Sequence, residues 1–408
     1  MSMNRRVLLG SAAGAGLVAA GCAPALTGTA PAGPAVSDPA VAAQLTAFMD
    51  DAWERTLDAS PETVTGFGLD TGARAAAKSR LTVPTLAEEE DGRRLVREFR
   101  TELAAVDRSR LAGIDAIRHD TLATNWDAVI ATFDIPYGQG GWPQIYRVSQ
   151  LSGAYQSAPD FLDTQHTIET AADAEAYVAR VGMLAEVLTA ETERMREDFG
   201  RGVIPPDFIL AKAIAQQEAM TAIAPGDTPL VASVARRTAA KGLTGDWAAR
   251  VERLVSDKVH PALAAQTAAL KAVQPRAGHD ASVARLPQGE RYYRNSLRYL
   301  TTTTLTPDEI HRIGLDQIAQ LSAQADLLLK AQGFTQGTVA QRIRALGEDP
   351  QFIAPNTDAG KEGIIARLNA QMRAMDARLP AAFGRLPKSP VEIRRVPPAI
   401  EQGASLGY

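Results

Sequence analysis

Cysteine is almost missing. Cys22 is the only one in 408 residues, so no internal disulfide can staple this fold. Histidine is scarce as well. His119, His166, His260, His279 and His311 never form H-E-x-x-H, and no two stand three or four apart on one helix. A complete zinc site is therefore not written in the chain. Aromatic residues make up 5%, too few for a β-sandwich, whose strands draw on aromatic and β-branched side chains. The net charge is −4, without the basic footprint that phosphate backbones require, so nucleic acid is excluded as a main partner. The most apolar stretch, near the start of the chain, is too short and too rich in Gly and Ala for a stable membrane span.

Apolar residues account for 45% of the chain, and alanine is plentiful. That mixture predicts close-packed helices around a substantial core, a mainly α, multi-helical body with a few short strands. The first 22 residues, MSMNRRVLLGSAAGAGLVAAGC, read as an export signal: a basic start at Arg5 and Arg6, a weakly apolar run, then small residues. The paired arginines fit a twin-arginine signal, although general export stays open. Ala-Ala-Gly-Cys fits a lipobox with Cys22 as lipid attachment point, with Ala19 in place of the usual Leu. The other reading is a soluble periplasmic protein cut near the same place. Residues 23–38 read as a Pro/Ala/Gly/Thr tether, and residues 39–408 as the folded domain.

Helical spacing recurs along that body. It runs through Val41, Leu45, Phe48, Ala52 and Leu57, through Leu122, Trp126, Val129, Ile130 and Phe133, and from about Thr170 to Phe199. A further helix spans about 246–272, where Pro261 predicts a bend or restart. In TTTTLTPDEIHRIGLDQIAQL, Thr306 caps, Pro307 suits the first helical position and Glu309 completes a capping box. Ile310, Ile313, Ile318, Leu321, Ala325 and Leu328 form its expected buried stripe. Asp308 and His311 stand three apart and could pair, but a capping turn beside a surface or cleft-edge histidine explains them without a metal. His119-Asp120 reads as a buried, oriented histidine. The segment 136–150 is Gly/Pro-punctuated, then briefly strand-like, and Gly138–Gly141 lacks the Lys-Ser/Thr of a phosphate loop.

Residues 391–396, alternating and bounded by prolines, are the best strand. Beyond them Gly403-Ala-Ser405-Leu-Gly407 spells the G-x-S-x-G of serine hydrolases. The elbow needs a strand feeding straight into the serine, and here the strand ends at Pro397-Pro398. The acid and histidine of that fold follow the serine, and three residues follow here. Ser405 is not read as a nucleophile.

Five stretches, FLDTQHTIETAADAEAYVARV (161–181), GVIPPDFIL (202–210), RLPQGERYY (285–293), LRYLTTTTLTPDEIHRIGLDQI (297–318) and SPVEIRRVPPAIEQGASLGY (389–408), together resemble the domain-of-unknown-function 885 family of exported bacterial proteins. The resemblance covers roughly residues 40–408. It implies a mostly helical fold related to gluzincin-type zinc peptidases, acting on peptides. It also implies a His/Glu zinc-binding segment lying after the part matched here, so the sequence reads as C-terminally truncated, with no catalytic or metal residue to name. By the same resemblance the 391–396 strand is a sheet edge beside a cleft, and Arg394, Glu401, Tyr408 and His311 are substrate-cleft candidates. The alternative is a non-catalytic helical lipoprotein of the periplasm, a binding or scaffold module. An edge strand without its neighbour would leave such a fragment prone to aggregate.

Overall fold

The computed structural model describes residues 36–138 and 144–395. These residues are mainly helical and fall into two compact units, divided between Thr304 and Leu305. Arg5, Arg6, Cys22, Glu401, Ser405 and Tyr408 lie outside the described residues.

The first unit begins with α1 (Pro39–Ala59) and α2 (Pro61–Gly66). Asp38 caps α1 by accepting from the Ala40 and Val41 amides, and Pro39 supplies the preset first-turn φ. Ser60 ends α1 and caps α2 through the Thr63 amide, so one residue turns the chain twice. A 3₁₀ segment (Gly72–Ser79) leads to α3 (Leu86–Ala104) and α4 (Gly113–Ile130). Val41, Leu45, Leu103, Leu111 and Ala116 close a small core between α1, α3 and α4.

The main core is built on α6 (Ala171–Gly200), set by a Thr170/Asp173 capping box. Around it lie α5 (Ala154–Thr164), α7 (Asp207–Thr221), α8 (Pro229–Ala240), α9 (Trp247–Leu254) and α10 (His260–Val273). The helix expected over 246–272 is present with an irregularity before its proline. Val255–Val259 forms a π turn between α9 and α10, and Pro261 stands in the first turn of α10. A proline has no amide to give and its ring crowds the carbonyl four residues back, so the widened turn relieves the clash without breaking the rod. The unit ends with α11 (Gly289–Thr301).

The second unit contains α12 (Pro307–Ala331), α13 (Val339–Gly347), α14 (Asp358–Asp376) and the short α15 (Leu379–Ala382). The Thr306/Glu309 capping box forms as the sequence predicts, with Thr306 N–H donating to Glu309 Oε2 at 2.8 Å. The expected buried stripe does not. Ile318 is 63% exposed, Leu321 61% and Leu328 70%, and Leu329 is the buried residue of α12.

The short strands are a second correction. Among the described residues there is no strand, and the strand-like part of 136–150 contributes an isolated bridge from Ser149 to Ser152. Residues 391–395 are non-helical but pair with no neighbouring strand. The Ile393 N–H and C=O are instead met by the side-chain amide of Asn369 on α14, at 2.9 and 2.8 Å. That amide presents a donor and an acceptor together, as a neighbouring strand would, so the alternating segment is satisfied without a sheet. Val396, the last residue of the expected strand, lies outside the described residues.

Candidate functional site

Helix α6 buries Arg180, Glu191, Thr192, Arg194 and Asp198 along with its apolar residues. Buried polar groups must find partners, and tracing those partners defines two polar centres, one toward each end of the helix.

Toward the C-terminal end, Arg147 joins three elements. Its guanidinium reaches Glu89, in the first turns of α3, at 2.5 and 3.3 Å, and Asp198 of α6 at 3.1 Å. Arg194 approaches the same Glu89 carboxylate at 3.0 Å and also pairs with Glu197. Gly138 N–H donates to Asp198 Oδ2 at 3.3 Å. Gly138 has φ +73°, and a Cβ there would stand 2.7 Å from the Gln144 carbonyl oxygen, so glycine is required at this close approach. Burial alone would raise Glu89, yet the hydrogen bonds of Arg147 and Arg194 outweigh it and hold the carboxyl below its usual range. Asp198 is raised because its burial outweighs the pull of Arg147. Its Oδ1 has no hydrogen-bond partner, and the Arg201 guanidinium stands 3.6 Å away.

About two turns before Asp198 on α6, Glu191 faces the start of α5. Both of its oxygens accept from the Ala154 amide, at 3.1 and 3.3 Å, and Gln266 of α10 donates to Oε2 at 3.0 Å. Gln266 in turn accepts from Gln217 of α7 at 2.8 Å, and Thr267 donates to Gln217 at 2.9 Å. The carboxyl thus terminates a buried hydrogen-bond chain across three helices, at a helix N-terminus that favours negative charge. Burial is the larger effect and pushes the group up to about 7.

Toward the N-terminal end, Arg180 carries no carboxylate partner in hydrogen-bond contact. It donates to the carbonyls of Arg80 (2.9 Å) and Ala77 (3.0 Å), to Thr65 Oγ1 (2.7 Å) and to His166 Nδ1 (3.0 Å). His166 Nε2 faces the Asp173 carbonyl at 3.0 Å. That carbonyl can only accept, so Nε2 holds the proton and Nδ1 is the lone pair that Arg180 meets. Burial, reinforced by Arg180, Lys78 and Arg237, lowers this imidazole to about 4. Arg180 is a clamp that ties α2 and the 3₁₀ segment to α6.

The residues singled out from sequence lie elsewhere. His311 is exposed on α12, and Arg394 pairs locally with Glu392 at 2.6 Å on the surface. His119 is buried in α4 with Nδ1 3.4 Å from Asp120 Oδ1, an oriented core-edge histidine as read from the sequence. His279 pairs with Asp207 at 2.9 Å on the surface. Among the described residues no three His, Cys, Asp or Glu side chains gather as a metal-binding group. The described residues therefore do not supply the donor set of the zinc that the family resemblance implies. The centre that sequence reading missed left one signal: Glu191 and Asp198 recur at helical spacing among Leu184, Leu188 and Met195, on the face that should be apolar.

A family model described as "Bacterial protein of unknown function (DUF885)" matches residues 61–408. This chain belongs to the DUF885 family. A crystal structure of a candidate lipoprotein from Colwellia psychrerythraea is similar at a TM-score of 0.81 and 22% identity, covering 90% of this chain and 64% of that one. A candidate lipoprotein of unknown function from Shewanella oneidensis is similar at a TM-score of 0.54 and 13% identity, covering 85% and 59%. At these identities the likeness shows the fold, and this DUF885 chain spans less than two thirds of either protein. No curated protein matches it.

Proposed function

We propose that this DUF885 chain is the helical body of an exported, zinc-metallopeptidase-like protein, and that its metal-binding segment belongs to a longer form of the polypeptide. The observation that carries the reading is the exposed stripe of α12, with Ile318, Leu321 and Leu328 uncovered. An amphipathic helix of this length is stabilised mainly by burying such a face, and further polypeptide would bury it. The greater length of the two similar structures and the family-like block around Thr306–His311 support the same view. In this reading residues 1–22 direct export, Cys22 carries a lipid, 23–38 form the tether, and the substrate is a peptide. In the same reading His311, Arg394, Glu401 and Tyr408 would face the substrate.

The zinc would lower the pKa of a bound water for attack on the peptide. No step is assigned to the described residues. Their part is to hold the scaffold, through the Arg147 and Arg180 centres. The competing reading is a non-catalytic periplasmic lipoprotein used for binding or scaffolding, in which the mutual pairing of Arg147, Arg194, Glu89 and Asp198 serves to hold the helices together.

Reading the DNA past the codon for Tyr408 tests the first proposal. An in-frame His/Glu motif, with stoichiometric zinc and peptide hydrolysis in the extended protein, is expected. A stop codon at that point, in a zinc-free protein that melts cooperatively, would instead establish the binding module. Lipid attachment is tested separately by palmitate labelling, which Cys22→Ala should abolish.

A further inference from the structure

The junction of α5, α6, α8 and the π turn frames an apolar pocket of about 70 Å³ that opens past the exposed Pro229. Its inner walls are Leu184, Leu188, Leu230, Val255, Val259 and Leu263, all buried, and its rim holds half-buried Met220 and Ile223. Val255 and Val259 bracket the π turn, and both are short and stiff at χ1, so neither can swing across to fill the space. Pro159, inside α5, also borders it.

Water gains little here. A buried water needs two to four polar partners. The Tyr155 hydroxyl is already engaged with the Ser149 carbonyl and Gln216 Oε1, at 2.7 and 2.8 Å. The Thr228 hydroxyl donates to the Pro225 carbonyl at 2.9 Å. His260, half-buried at the edge, is the remaining titratable lining residue. Apolar walls that offer water so few partners favour apolar guests, as an engineered cavity of about 150 Å³ takes benzene or xenon.

We propose that this cavity is a binding site for a small apolar molecule of about three heavy atoms, a dissolved gas or short hydrocarbon, since it offers about half the room that benzene needs. Val259 and Leu263, one turn apart on the π turn and α10, face the same space, and Leu184 and Leu188 match them from α6. The guest would gain contact with all four without displacing a hydrogen bond.

Xenon titrated into the methyl-labelled full chain tests this by NMR. Saturable shifts are expected at the methyls of Leu184, Leu188, Val255 and Leu263, with benzene at its solubility limit leaving them unmoved. Val255→Leu adds a methylene to the wall and should abolish the xenon response while raising the melting temperature. Leu188→Phe serves the same purpose should the first variant fold poorly. Xenon shifts spread evenly over surface methyls, or no response at all, would overturn the site, and benzene binding would overturn its assigned size.

Discussion

The two units are made from the same kind of helix and end differently. In the first, α6 buries apolar and charged residues alike, so that Arg180, Glu191, Arg194 and Asp198 are all held within the core. In the second, α12 repeats apolar residues at the same period, yet Ile318, Leu321 and Leu328 face outward. Its buried polar contact is Arg342, which reaches Asp326 at 2.5 Å and the Phe334 carbonyl at 3.0 Å. A 3.6-residue period prepares a face but does not supply what covers it. Where neighbours are present, burial is so complete that charges go inside and must be paired. Where they are not, apolar residues stay outside at the cost of an uncovered patch.

The sharpest way to break this contrast is at Arg147. Arg147→Met would leave Asp198 buried and Glu89 held by Arg194 alone, and removing one partner of a buried ion network typically costs about 3–5 kcal/mol. Urea unfolding should show that loss in the first unit. A cost below about 1 kcal/mol, the value of an exposed pair, would mean that the centre is solvated and the contrast overstated.

Glu191 gives a pH signature of similar size. Its folded pKa is raised from 4.5 to about 7, so the stability it contributes is full below its unfolded value and is lost as pH rises through 7. The shift corresponds to about 3 kcal/mol. Stability measured from pH 5 to 8 should fall in the wild type, and Glu191→Gln should flatten the fall. An unchanged slope would remove Glu191 as its source.

His166 runs the opposite way. Its pKa is depressed from 6.5 to about 4. The stability it contributes is therefore present above 6.5 and lost as pH falls toward 4, again by about 3 kcal/mol. A proton on Nδ1 would also face the Arg180 guanidinium at 3.0 Å. Histidine NMR should show this imidazole neutral at pH 5. Titration near 6.5 would mean that the clamp is open to water.

Much of the local structure could be read from the chain. The Thr170–Phe199 helix and the helix interrupted near Pro261 in the first unit, and the Thr306 capping box in the second, all follow from local rules of period, proline and cap, and all are present. The polar centres could not be read, because pairing of Arg147 with Glu89, or of Arg180 with Ala77 and Arg80, links residues far apart in sequence, and no local pattern carries that. The expected strand is absent over 391–395 for the converse reason. Alternation and flanking prolines describe an extended segment, but a strand needs a partner, and Asn369 took that place. The α12 stripe shows the same limit: periodicity gave the face and not its cover.

The smallest expected effect tests that last point. Leu321→Gln and Ile318→Gln should each change the stability of this chain by less than about 0.5 kcal/mol, as substitutions at exposed sites do, whereas Leu329→Ala should cost about 2 kcal/mol because that neighbour is buried. The same pair of glutamine variants should lower binding of a hydrophobic dye and the tendency to aggregate, since they break the exposed patch. The comparison becomes decisive in a longer form of the protein. If further polypeptide covers α12, Leu321→Gln there should cost more than about 1 kcal/mol, a buried-site penalty. Equal and negligible costs in both forms would mean that the stripe faces water in the working protein, and its cover would then have to be sought in a separate partner.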